Sequence, residues 1–289
     1  MARSETDGLA GSDGAHADWL DACRRATAGL RAMLIDYPTT RERAEETGSR
    51  GEGGDRTLVI DEAAEDLVFA ELDGLYASGR RFVAISEERG EVDYGDPAVR
   101  VVIDPIDGSL NAKRGLPHHC LSIAVAEGGT MADVVFAYVH DLGPDEEWVA
   151  SRGGGAYFDG RALDTTPRER RADGDKLEVL GIESADPRWV AEAADDLRDA
   201  AHRLRALGSI AISLCQVAAA RFDGMVTLKR CRAVDAAAGQ LIVREAGGLV
   251  AFTGYEDPLA APLDLVPRSP VIAARTERAL TELRALPRA

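Results

Sequence analysis

An apolar run, Val99-Arg100-Val101-Val102-Ile103, stops at Asp104-Pro105-Ile106-Asp107-Gly108-Ser109. The run has the composition of a buried strand, so the fold must carry a strand through its core and end it on two carboxylates. Two acids three residues apart with a proline between them make a poor structural turn. Like charges at that range repel, and a bound cation is the usual remedy. The Gly-Ser behind them can offer backbone N–H groups to an anion. Metal and phosphate in one place is the chemistry this hexapeptide points to.

The flanking pattern is mixed. Trp19, Leu20, Cys23, Ala26, Leu30, Met33 and Leu34 have helical spacing across His16–Asp36, as do the apolar residues from Ile60 to Leu75. Between them Gly48–Asp55 is rich in breakers and reads as a mobile loop. Phe82–Ile85, Val99–Ile103, Leu121–Ala126, Val134–Val139 and Trp148–Ala150 read as strands. After about residue 150 strands and helices alternate: a strand over Leu177–Ile182, helices over Pro187–Leu204, Ser209–Phe222 and Asp235–Ala246, and a last helix over Glu277–Leu286. The expectation is a layered α/β (α+β) protein. The composition predicts a disordered tail over residues 1–15, an N-terminal α+β subdomain over 16–150 and a C-terminal α/β subdomain over 151–289.

Three further acidic sites accompany the hexapeptide. Ser86-Glu87-Glu88 ends a strand, Asp235 opens a helix, and Asp55 lies in the glycine-rich loop with Asp61 at the next helix start. Alone, Asp61 and Asp235 would be ordinary N-caps and the glutamates solvated. Together with Asp104 and Asp107 they make an all-oxygen donor set, which suits Mg²⁺ or Mn²⁺ rather than zinc. That many carboxylates can serve two ions, which can generate hydroxide and stabilise both attacking and leaving oxygens.

Ile85-Ser86-Glu87-Glu88, Asp104–Asn111, Gly208-Ser209 and Val234–Gly239 ahead of Glu245-Ala246-Gly247-Gly248 occur in that order. In these motifs the chain resembles the inositol monophosphatase and archaeal-type fructose-1,6-bisphosphatase family of Mg²⁺-dependent, Li⁺-sensitive-type sugar phosphatases. The resemblance covers about residues 17–285. It implies the sugar-phosphatase fold, with alternating α/β/α/β/α layers, and two to three Mg²⁺ ions. Glu87, Asp104 and the Ile106 carbonyl would hold one ion; Asp104, Asp107 and Asp235 would hold a second; Asp55 would help with a third. Asp61 and Ser109 would be a hydrogen-bonded pair activating water, with the Gly108 and Ser109 amides on the phosphate. Arg205, Gly208, Ser209 and Ile210 would form the leaving-group side, and the chain would be a homodimer. The implied substrate is inositol-1-phosphate, fructose-1,6-bisphosphate or both. The alternatives are a 3′(2′),5′-bisphosphate nucleotidase and a non-catalytic binding protein on the same fold.

Composition narrows the partners. The chain carries 50 Asp and Glu against 34 Lys and Arg, a net charge of −16, and its lysines are Lys113, Lys176 and Lys229 alone. Such a surface repels nucleic acid and anionic membranes and fits a salt-adapted cytoplasm. The longest apolar stretches are too short to span a bilayer, and residues 1–15 lack the apolar core of a secretory signal. Four scattered cysteines fit reduced thiols in a cytoplasmic protein. Arg152-Gly153-Gly154-Gly155 lacks the Lys-Ser/Thr of a P-loop and reads as a hairpin turn. His118-His119 reads as packing.

Overall fold

The computed structural model describes residues 16–50, 52 and 56–286. It begins with α1 (Ala17–Asp36), the short α2 (Thr40–Arg43), a ribbon of β1 (Glu46–Arg50) and β2 (Arg56–Leu58), and α3 (Val59–Ala77). The middle of the chain holds β3 (Val83–Ser86), β4 (Gly90–Asp93), β5 (Arg100–Asp107), α4 (Ser109–Arg114), β6 (Cys120–Ala126) and β7 (Val134–Asp141). It continues with β8 (Glu146–Ser151), β9 (Gly155–Phe158) and β10 (Arg161–Ala162). The rest is β11 (Arg171–Ala172), β12 (Lys176–Glu183), α5 (Pro187–Glu192), α6 (Ala194–Ala200), β13 (Ala201–Arg205), α7 (Ile210–Ala218) and β14 (Gly224–Thr227). It closes with α8 (Ala233–Glu245), β15 (Leu249–Phe252), β16 (Val271–Ala274) and α9 (Glu277–Arg284).

Besides the two-stranded β1–β2 ribbon, the described residues form two larger sheets, in the orders β10-β9-β8-β7-β6-β5-β3-β4 and β11-β12-β14-β16-β15, with β13 also on β12. The alternation of side chains along each strand sorts the apolar residues into three cores. Val101, Ile103, Leu121, Ile123 and Tyr138 face Leu30, Ile60, Val68 and Phe69 of α1 and α3. Their neighbours Val102, Ala124, Ala137, Val139 and Trp148 point the other way, onto α7, α8 and the inner face of the second sheet. Leu180, Val226 and Ile272 on that sheet's outer face cover Leu197, Leu280 and Leu283 of α6 and α9. The layers therefore run α/β/α/β/α, as the sequence motifs imply. Each large apolar side chain in these cores contributes about 1.5–3 kcal/mol.

The middle layer is tight. Leu241, Ile242 and every residue from Ala233 to Gln240 are buried, and a Cβ on Gly239 would lie 2.7 Å from Leu214 Cβ of α7. Small residues at Ala236–Gly239 let the two helices touch.

Two local readings change, and a third holds. The stretch Pro187–Leu204 is not one helix: α5 and α6 end at Ala200, and Ala201–Arg205 pairs in parallel with β12, Val179 opposite Arg203. The start of the expected Gly48–Asp55 loop, Gly48–Arg50, belongs to strand β1, paired with β2, and Glu52 N–H donates to the Glu88 carbonyl at 3.3 Å. The mobile-loop reading of Gly51 and Gly53–Asp55 lies outside the described residues. The Arg152–Gly154 segment is the β8–β9 hairpin turn, with Ser151 opposite Gly155. All four cysteines are buried free thiols. Among the described residues no helix is long and apolar enough to cross a membrane.

Candidate active site

β3 and β5 are parallel neighbours, with Ser86 opposite Ile103. The next residues, Glu87 and Asp104, therefore emerge at the same end of the sheet, the carboxyl end where such folds place ligands. Past that level β5 carries one extra residue: Asp104 pairs with Ser122 and Asp107 with Cys120. In a regular strand residues three apart face opposite sides. The bulge cancels the odd step, and Asp104 and Asp107 line one cleft. Pro105 falls inside it, where its missing N–H costs no ladder bond. Gly108, at φ +88, then turns the chain into α4; a Cβ there would meet the His118 carbonyl at 2.7 Å, so this turn requires glycine.

Two helix starts complete the acidic wall. In α8, Asp235 Oδ2 accepts the Arg232 N–H at 3.0 Å. In α3, Asp61 Oδ2 accepts the Leu58 N–H at 3.3 Å. The cleft, about 320 Å³, is lined by Asp61, Glu87, Glu88, Asp104, Ile106, Asp107, Gly108, Ser109 and Asp235, with Lys113 and Arg232 as its cations. Ser109 and Lys113, four apart on α4, share a face.

The charges interact strongly. Burial, then repulsion from Asp107, Glu87 and Asp235, pushes Asp104 well above the usual carboxylate range. Burial and Asp235 raise Asp107, against hydrogen bonds from Ser209 and Ala211. Burial raises Asp61 to about 6, against the Leu58 N–H bond. Arg232 Nη1 reaches Glu87 Oε1 at 2.7 Å, and Nη2 lies 3.6 Å from Asp235 Oδ1. Burial alone would lower its basicity, but Asp235, Glu87 and Asp104 outweigh that and raise it.

Among the described residues no three acidic, His or Cys side chains close around one point; the carboxylates share their cleft with the Arg232 guanidinium instead. The donor set nevertheless fits a hard divalent cation. It is all oxygen, its carboxylates repel one another, and Asp61 Oδ1, shut off from solvent, has no hydrogen-bond partner among the described residues.

The implied roles map unevenly onto this geometry. Asp61, Glu87, Asp104, Ile106, Asp107, Gly108, Ser109 and Asp235 are brought together. Asp55 lies outside the described residues. Asp61 and Ser109 are not hydrogen-bonded to each other: one Asp61 oxygen is spent on the Leu58 N–H at the start of α3, and the other has no partner among the described residues. Gly208, Ser209, Ile210 and Arg205 do not line the cleft. Ser209 is buried; its hydroxyl donates to Asp107 Oδ2 at 2.6 Å and accepts the Ile212 N–H, capping α7. Arg205 is exposed, with Nη1 on the Leu204 carbonyl. Near the last acid, Leu228 is buried and Lys229 Nζ lies over the Trp189 ring, 5.0 Å from its centre, away from the cleft.

Sequence reasoning passed over Arg232, three residues before Asp235, although a basic residue one turn before a helix-opening acid is a usable signal. It also passed over Glu183, which burial raises to about 7 against hydrogen bonds from Ser213, Leu207 and Gly208. No local pattern marked that residue, because its partners are more than twenty positions away.

The chain is similar to known proteins over most of its length. The inositol monophosphatase family matches residues 19–287. A fructose-1,6-bisphosphatase/inositol-1-monophosphatase of Archaeoglobus fulgidus is 30% identical over 260 residues, 89% of this chain and 93% of its own length. The Nus factor SuhB of Escherichia coli K12 is 35% identical over 236 residues, 80% of this chain and 82% of its own. Among solved structures, the extragenic suppressor protein SuhB of Bartonella henselae superposes with a TM-score of 0.75 at 25% identity, covering 94% of this chain and 98% of its own.

Proposed function

This chain belongs to the inositol monophosphatase family, and on that footing we propose that it is a Mg²⁺-dependent phosphomonoesterase acting on a sugar or inositol phosphate. The observation that carries this reading is the β5 bulge, which puts Asp104 and Asp107 into one cleft with Glu87 and Asp235. Glu87, Asp104 and the Ile106 carbonyl would hold one ion; Asp104, Asp107 and Asp235 a second; Asp55 would contribute to a third. Bound there, Mg²⁺ supplies Lewis-acid activation of water and neutralises charge on the phosphoryl group; Mn²⁺ could serve the same chemistry.

The protein's own groups do the rest. Asp61 keeps one oxygen without a partner among the described residues, and burial raises it only to about 6, so at neutral pH it is a carboxylate ready to take a proton from attacking water. The Ser109 hydroxyl lines the same cleft. The amides of Gly108 and Ser109, where β5 turns into α4, are assigned to the phosphate. Lys113 adds a positive charge on the same face of α4.

The test is phosphate release from inositol-1-phosphate, fructose-1,6-bisphosphate and adenosine 3′,5′-bisphosphate, with Mg²⁺ and molar KCl. Release from the first two supports the reading; release from the third alone makes the protein a nucleotidase. Asp107→Asn abolishes Mg²⁺-dependent release, and near-wild-type turnover in that variant would refute the metal assignment. Release from none favours a non-catalytic role, a reading supported by the relative named as a Nus factor.

A further inference from the structure

At the C-terminal end of β12, Glu183 is only 2% exposed and far from water for a carboxylate. It does not line the cleft, yet its side-chain hydrogen bonds all go to the turn into α7 and to that helix. Oε1 accepts the Leu207 N–H at 2.9 Å and the Ser213 hydroxyl at 2.6 Å; Oε2 accepts the Gly208 N–H at 3.0 Å. Three donors on one buried carboxylate satisfy it and fix it.

The segment it grips is the turn into α7. Gly208 is left-handed, at φ +81, and a Cβ there would crowd Asn111 Nδ2 at 3.0 Å. Asn111 Nδ2 in turn donates to the Leu207 carbonyl at 2.6 Å and the His118 carbonyl at 2.9 Å. The turn is therefore held by its amides from β12 and by its carbonyl from α4. Directly after it, the Ser209 hydroxyl and the Ala211 N–H both donate to Asp107 Oδ2, at 2.6 and 2.7 Å. Asp107 thus has one oxygen fully committed to this segment, while Oδ1 has no hydrogen bond from the described residues.

We propose that Glu183 is a positioning residue: acting through the Leu207–Ala211 turn, it holds Asp107 in the orientation that presents its second oxygen to the cation. The inference deepens the phosphatase reading and rests on it. Groups that orient a metal's ligands typically change affinity 10–100-fold when removed. Glu183→Gln is isosteric but sets an NH₂ against one of two backbone N–H donors, so one of the two amide bonds is lost.

The comparison variant is Asp223→Asn. Asp223 is also buried and accepts two backbone N–H groups, from Arg170 at 2.7 Å and Val179 at 2.9 Å, but it has no link to Asp107. Three measurements are made on the full chain: Mg²⁺ binding by titration calorimetry without substrate, amide hydrogen exchange over residues 209–212 without metal, and melting temperature. Both variants lose melting temperature. Glu183→Gln alone weakens Mg²⁺ binding about tenfold and speeds exchange at Ala211. If Glu183→Gln does not fold, Ser213→Ala removes one of the three donors and shows a smaller change of the same kind. Wild-type Mg²⁺ affinity in the variant, or equal weakening in Asp223→Asn, overturns the positioning role alone. A wild-type protein that takes up no Mg²⁺ overturns the metal site itself, and the proposal with it.

Discussion

Arg232 is the residue on which the electrostatics of the cleft turn. Its guanidinium is 2.7 Å from Glu87 and 3.6 Å from Asp235, among carboxylates that otherwise raise one another's proton affinity. A divalent cation and a guanidinium compete for the same oxygens, and only the guanidinium is tethered. Arg232→Gln removes the tethered charge and leaves its partners uncompensated. Breaking a fully buried pair costs about 3–5 kcal/mol; with these side chains still partly wetted, about 2 kcal/mol is expected. The metal-free melting temperature of Arg232→Gln should fall by about 5 °C, and Mg²⁺ should raise it by more than it raises the wild type. Thermal scans with EDTA and with Mg²⁺ check this; an unchanged metal-free value would show that Arg232 neutralises nothing. The acids at this site were legible in the sequence because each ends a strand or opens a helix. Glu183 was not, since its importance comes from contacts more than 20 residues away; Arg232 stands one turn before Asp235, but its pairing with Glu87 spans 145 residues.

At the scale of elements, the decisive contact is α7 against α8, the layer both sheets share. The prior from helix propensity is that Gly239→Ala stabilises by up to about 1 kcal/mol. The packing says otherwise: the new methyl would lie 2.7 Å from both Cβ and Cδ1 of Leu214. Overpacking of that kind costs about 1–3 kcal/mol, so the net is destabilising. Urea denaturation should show a lower midpoint with an unchanged slope, and a raised midpoint would mean the helices can part freely. Periodicity revealed α1 and α3, whose apolar faces repeat locally; the central strands showed as apolar runs, and α8 by Asp235 at its start and Gly247-Gly248 at its end. It failed at β13, where Ala201-His202-Arg203-Leu204-Arg205 contains good helix formers, and pairing with β12 overrides their propensity. It could not reveal the β5 bulge either, because a bulge is defined by the register of the partner strand.

For the whole molecule, two separate charge effects act in the same direction with pH and can be pulled apart. Asp61 and Glu183 titrate near 6 and 7 in the folded protein, and Asp104 and Asp107 are raised as well. Between the ordinary carboxylate range and these values the folded chain binds more protons than the unfolded one. Metal-free stability is therefore full below about pH 4 to 5 for these groups and is lost as pH rises through 6 and 7, by up to about 1.4 kcal/mol per pH unit for each. The net charge of −16 adds general repulsion, which also grows as carboxylates ionise. Salt screens exposed charges and leaves buried ones nearly untouched. In EDTA, molar KCl should raise the melting temperature at pH 7.5 and narrow the gap between pH 5.5 and 7.5 without closing it. The gap that survives KCl belongs to the buried acids. Mg²⁺ should close it, because the cation binds only the ionised carboxylates, and Glu183→Gln should shrink it by removing one titrating group. No KCl effect at either pH would mean that the acidic surface carries no stability penalty and that salt adaptation is the wrong explanation for it. A gap that KCl abolished entirely would assign the pH dependence to the surface and leave the buried carboxylates without a thermodynamic role in the metal-free fold.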